Sequence, residues 1–141
     1  MRKIFLSLLV LVTLSSIAQD LPKNYASLLK EVEPELIAWR RHFHEFPELS
    51  NREVNTGKYI ADFLKTLPNL EVRYPVAKTG VVAVLKGGKP GAVIALRADI
   101  DALPVYERVA IPFASKVTTE FNGQKVNVMH ACGHDSHTAM L

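Results

Sequence analysis

Two apolar runs, Val81-Val82-Ala83-Val84-Leu85 and Ala92 to Leu96, constrain this chain more than any other feature in it. Neither alternates apolar with polar residues, so neither suits a strand with one face in water. Such runs fit strands covered on both faces, as in an α/β sheet with helices packed on it. The break between them, Gly87-Gly88-Lys89-Pro90-Gly91, is too short for a helical crossover and predicts a hairpin joining the two. Leu70 to Val76 reads as a further strand. Asn122-Gly123, flanked by Val117 to Phe121 and Lys125 to Met129, is the strongest short-range hairpin signal in the sequence.

The rest of the pattern is helical. Residues 25–45 place Leu28, Leu29, Val32, Leu36 and Trp39 to Phe43 at roughly helical spacing, with Pro47 marking the end. Pro34 lies inside this stretch and predicts a kink or a fresh start there. Ser50 followed by Glu53 reads as a capping box for a second helix, whose apolar face is Ile60, Phe63, Leu64 and Leu67 and which Pro68 closes. Thr138 to Leu141 reads as the opening of another helix. With 48% hydrophobic and 22% charged residues and no internal repeat, the chain is of the ordinary globular class. The expected fold class is α/β, a mixed β-sheet flanked by helices.

The first residues belong to export rather than to the fold. Arg2 and Lys3 precede an apolar run from Ile4 to Leu14, and Ser16-Ile17-Ala18 supplies the small residues a signal peptidase reads. The reading is a signal peptide at 1–18, a mature chain at 19–141, and a periplasmic or extracellular location. The apolar run is well short of the ~20 residues needed to span a bilayer, so no stable membrane anchor is expected. Losing Arg2 and Lys3 lowers the 17 basic residues to 15 against 14 acidic ones, and the formal charge from +3 to +1. The basicity therefore argues for neither nucleic-acid nor membrane-surface binding. Cys132 is the only cysteine, so no disulfide staples the domain. A lone thiol in an oxidising compartment calls for an occupant.

Met129-His130-Ala131-Cys132-Gly133-His134-Asp135-Ser136-His137 offers one. It holds three histidines, a cysteine and an aspartate within eight residues, a density that packing does not require. Cys132 and His134 are separated by one glycine, which lets the backbone bend so that both reach one centre. Thiolate and imidazole suit Zn²⁺, and imidazole with carboxylate extends the choice to Mn²⁺, Co²⁺ or Ni²⁺. Asp135 or a nearby carboxylate can instead orient an imidazole from behind. Asp99 and Asp101, at the end of the second apolar run, lie where open α/β sheets place active sites, and they equally suit turns or helix caps. His42 and His44, as isolated histidines, read as surface or satisfied core residues. A metal-activated hydrolase also needs a general base, and neither Glu107 nor Glu120 carries a motif that marks it as one. A cysteine hydrolase pairing Cys132 with His130 or His134 requires groups two residues apart to meet, where such pairs come from separate elements.

Two long stretches, Ala95-Leu96-Arg97-Ala98-Asp99-Ile100-Asp101-Ala102-Leu103-Pro104 and Met129 through Leu141, resemble the M20 metallopeptidases. The similarity is to the branch holding N-acyl-amino-acid amidohydrolases, hippurate hydrolases and auxin-conjugate hydrolases. Arg40-Arg41 through His44, then Pro47-Glu48-Leu49-Ser50, Glu53 and Thr56, match that branch's opening motif, so the resemblance covers residues 36–141. Two departures are Phe46, where the branch usually has histidine, and Ser136, where it usually has glycine.

The resemblance implies that Cys132 and His134 are two ligands of a centre holding two divalent metal ions, with Asp101 supporting it from behind. Asp99 falls where other branches keep a metal-binding histidine, and Arg97, Asp135 and His137 match positions of supporting role. It implies hydrolysis of the amide bond of N-acyl amino acids or small peptides. It also implies a full-length protein, capable of forming a homodimer, in which a lid or dimerisation domain, the remaining ligands and a general-base glutamate follow residue 141. On this reading residues 19–141 are an incomplete N-terminal part of the catalytic domain, ending before the lid. The alternative is a catalytically inactive fragment or degenerate relative that at most binds metal or peptide.

Overall fold

Among residues 23–141, which the computed structural model describes, three helices and two two-stranded hairpins form. The signal peptide expected at 1–18 lies outside these residues. Helix α1 runs Tyr25–Glu45 without interruption. Pro34 does not restart it, and the backbone rung that proline cannot make falls in a stretch, residues 23–35, that is exposed throughout. The freed carbonyl there is open to solvent. The buried part of α1 is its C-terminal end, at Phe43 and His44.

Helix α2, Val54–Leu64, begins three residues later than a box built on Ser50 implies, with Glu53 itself at the N-cap. The Glu53 carboxylate accepts from the Asn51 amide at 2.9 Å and the Thr79 hydroxyl at 2.6 Å. The first-turn amides are instead taken by Glu48, which accepts from the Asn55 amide at 3.2 Å and the Thr56 amide at 2.8 Å. A carboxylate at this end also suits the positive pole of the helix. The buried face is small: Thr56, Gly57 and Ala61. Phe63 and Leu67, expected on that face, are exposed.

Strand β1, Leu70–Val76, pairs antiparallel with β2, Gly80–Leu85, in a register running from Leu70 opposite Leu85 to Val76 opposite Gly80. The expected hairpin between residues 81–85 and 92–96 does not form. Ala77 and Lys78 take positive φ (47° and 88°) and turn the chain back onto β1 instead. Val93, Ile94 and Leu96 are left exposed and unpaired at 96, 83 and 75%. A run that apolar needs cover on both faces, and no described element provides it.

The second hairpin forms as expected. Strands β3, Thr118–Phe121, and β4, Gln124–Asn127, join through Asn122 and Gly123, both at positive φ (52° and 74°), which a tight two-residue turn demands. Beyond β4 the chain meets two other extended segments. Leu49 bridges Ala102 in parallel and Leu103 bridges Met129 antiparallel. The small core of Leu49, Ala102 and Val128, with Val117 against it, sits at this junction. Asp101 precedes Ala102 and His130 follows Met129, so the junction delivers both to one place. Helix α3, His134–Met140, starts four residues before the expected Thr138.

Candidate metal centre

The turn into α3 is made by Gly133, at φ 86°. Its left-handed backbone, which a side chain would strain, sends Cys132 and His134 off neighbouring positions of one tight bend. Cys132 is exposed and free. His134 is held from behind: its Nδ1 lies 3.0 Å from Asp101 Oδ1 and 2.9 Å from the Asp101 carbonyl. With Nδ1 donating to these oxygens, Nε2 is left with a lone pair facing away, the tautomer that metal-binding histidines take.

Asp135, the next residue, is 1% exposed and points into a buried polar chain. Its Oδ2 accepts from His44 Nδ1 at 2.8 Å and forms an ion pair with Arg40 Nε at 3.0 Å, and its Oδ1 accepts from the Ser136 amide at 2.9 Å. His44 in turn reaches Glu107 Oε2 through Nε2 at 2.7 Å. Both ring nitrogens of His44 face carboxylate oxygens. Phe113 lies edge-on to His44, with the Arg40 and Arg41 guanidinium groups 5.3 and 5.0 Å from its ring. Sequence alone reads His44 as a surface or satisfied core residue and Glu107 as a base candidate without a motif, and links neither to Asp135. The available signal was Arg40 and His44 at i and i+4, one face of α1.

His130 is the odd member of the cluster. It is buried at 5% exposure, and neither ring nitrogen has a hydrogen-bond partner among the described residues. Burial pushes its pKa down to about 4, against the pull of Asp135 and with the repulsion of His44 and His134. Arg97 and Asp99 pair with each other at the surface, at 2.7 Å, and the Asp99 carbonyl takes the Thr138 hydroxyl at 3.0 Å. Arg97, Asp99 and Asp101 border a shallow cleft with Glu53 and Thr79. His137 is exposed, its ring 6.4 Å from that of His134. The structure thus brings Asp101 to His134 and leaves the Asp99 carboxylate with Arg97.

Burial would raise the carboxyls of Glu107 and Asp135. Hydrogen bonds from His44 to both, from the Val109 and Ser115 backbone to Glu107 and from the Ser136 backbone to Asp135, together with the positive charge of Arg40 beside Asp135, hold them below the usual range instead. All three depressed groups give stability the same sign, because the unfolded chain binds protons that the folded one refuses. The His130 contribution is present above its ordinary 6.5 and is lost as pH falls toward about 4. The Glu107 contribution is present above the ordinary 4.5 and is lost at still lower pH. Urea midpoints in chelating buffer should therefore decline in two stages on acidification. Glu107→Gln should weaken the second stage and leave the first. A flat profile between 6.5 and 4 would contradict the burial of His130.

As donors, an exposed thiol and an imidazole Nε2 on one bend fit two positions of a soft divalent-metal site. No group of three or more His, Cys, Asp or Glu side chains converges to hold an ion among the described residues. Residues 95–141 match peptidase family M20/M25/M40. An N-acyl-L-amino acid amidohydrolase of Geobacillus stearothermophilus is 48% identical over 114 residues, 81% of this chain and 28% of that protein. The chain is homologous to the M20 peptidases and amidohydrolases. A thermostable carboxypeptidase of Saccharolobus solfataricus is 46% identical over 123 residues, 86% of this chain and 29% of that M20 relative. The crystal structure of a dinuclear metal binding peptidase of the M20 family from Bacillus subtilis aligns at TM-score 0.67 and 50% identity, over 78% of this chain and 29% of that one. The fold is accordingly the N-terminal portion of an M20-type catalytic domain. The chain spans under a third of the length of these relatives. Their names divide between amidohydrolase and carboxypeptidase, so homology reaches the M20 family and not one branch of it.

Proposed function

We propose that this chain contributes the first two ligands, Cys132 and His134, of a dinuclear metal centre in an exported M20 amidohydrolase, and that its 141 residues alone are catalytically silent. The observation that carries the reading is the Asp101–His134 pair beside an exposed thiol. Asp101 keeps the Nδ1 proton in place and aims Nε2, and Gly133 sets the bend that both ligands share. Bound there, divalent ions of the Zn, Mn, Co or Ni kind would supply Lewis acidity toward water and a scissile amide carbonyl.

No described glutamate suits the part of general base. Glu107 is tied to His44, Glu53 to Thr79, and Glu120 lies exposed on the β3–β4 hairpin. On this reading the base and the remaining ligands would come from outside the described residues. The substrate class is an N-acyl amino acid or small peptide, in keeping with the amidohydrolase relative. The want of a third converging ligand is what favours silence for this length of chain.

The experiment is a Co²⁺ titration read by the thiolate-to-metal charge-transfer band, followed by assay of an N-acyl amino acid panel. The chain should show the band, Cys132→Ser should abolish it, and hydrolysis should stay at background. Hydrolysis that tracks metal loading would overturn the silent reading. Absence of the band would overturn the ligand assignment.

A further inference from the structure

We infer that Arg40 and His44 are positioning residues for the metal half-site, acting through Asp135; this rests on the ligand assignment proposed above. Helix α3 has seven residues, begins at the ligand His134 and has no side-chain cap. A helix so short does not hold its own first turn, so tertiary contacts must set where the backbone of His134 lies. The ring of His134 is aimed by Asp101, which says nothing about the backbone beneath it. The backbone is fixed one residue on. Asp135 is locked to α1 by His44 and Arg40, and His44 is locked from its far side by Glu107.

Two separate fasteners thus act on consecutive residues, one on the ring of residue 134 and one on the main chain at residue 135. Releasing the second would leave the Asp101 hydrogen bond intact while letting the bend around Gly133 shift. Cys132 and His134 would then no longer meet one ion at the right separation. The sequence distance is long, 91 residues from His44 to Asp135, so the device exists only in the folded chain.

The test is Co²⁺ affinity of the full chain, read by the charge-transfer band, with urea unfolding to confirm that each variant is folded. His44→Asn should weaken binding on the order of 10–100-fold, the usual effect of removing an outer-shell partner. Asp135→Asn should weaken it comparably, and the double variant should be little worse than either single one, since both act through one link. Full additivity would overturn the proposal, as would wild-type affinity in folded His44→Asn. Should His44→Asn fail to fold, Arg40→Gln removes the positive charge paired with Asp135 from a partly exposed side chain. Unchanged affinity there would likewise overturn it. Absence of the band from the unsubstituted chain would instead sink the ligand assignment, and this proposal with it.

Discussion

Asp135→Ala is expected to destabilise the fold by about 3 kcal/mol, the lower end of the range for breaking a buried ion pair. The substitution strips His44 Nδ1 and the Ser136 amide of their acceptor and Arg40 of its ion-pair partner at one stroke. Two features keep the loss from reaching the upper end of that range. Glu107 still balances His44 from the other side, and the Arg40 side chain, at 34% exposure, can turn toward water. His44, at 4%, cannot. Asp135→Asn keeps one acceptor oxygen and should lose about 1 kcal/mol, the size of one net hydrogen bond. Urea denaturation at neutral pH measures both. An alanine variant within about 0.5 kcal/mol of the parent, the range of a bland surface change, would mean that the chain from Arg40 to Glu107 contributes nothing. Stability in a domain of this size is of the order of 5–15 kcal/mol, so the expected loss is a large share of it.

How far this could be foreseen differs between the fold and the site, for physical reasons. The bounds of α1 and the β3–β4 hairpin were legible because their signals are local: apolar spacing in one, an Asn-Gly pair suited to positive φ in the other. The β1–β2 turn was not legible, since Ala77 and Lys78 are not residues that favour positive φ. The run from Ala92 to Leu96 was misjudged for the opposite reason. Its composition reads as a strand wanting cover on both sides, but composition does not name the neighbour, and residues 92–96 form no strand. The capping of α2 failed similarly: Ser50 and Glu53 have the spacing of a box, yet Glu48, from the preceding loop, takes the amides.

At the site, spacing pointed to Cys132 and His134 and the resemblance to Asp101, and the Asp101–His134 contact is formed. The buried chain that holds the next residue was invisible because its members are 63 and 91 residues apart in sequence. A histidine with no neighbour in the sequence looks bland until the fold supplies two carboxylates. Asp135 was expected to support the centre from behind. Its side chain turns instead toward α1, so any support passes through the backbone.

The second large effect concerns α2 rather than the ligands. Gly57→Ala sets two contributions against each other. Alanine in a helix interior favours the fold by about 1 kcal/mol over glycine. Against this, a Cβ at residue 57 would lie 2.3 Å from the Thr79 carbonyl oxygen and 2.8 Å from Cε2 of Tyr74. The tyrosine ring can give way, but the carbonyl belongs to the β1–β2 turn. That turn is tethered to the start of α2 by the Thr79–Glu53 hydrogen bond. Helix and hairpin must therefore part, or the tether must break, at a cost of about 1–3 kcal/mol and sometimes more. Packing should win, with a net destabilisation of about 1–2 kcal/mol in urea. Gly88→Ala, where a new Cβ meets nothing within 4 Å, is the matched control and should stay within about 0.5 kcal/mol of the parent. If Gly57→Ala were as stable as the parent, α2 would not rest on the hairpin as closely as its buried face of Thr56, Gly57 and Ala61 requires.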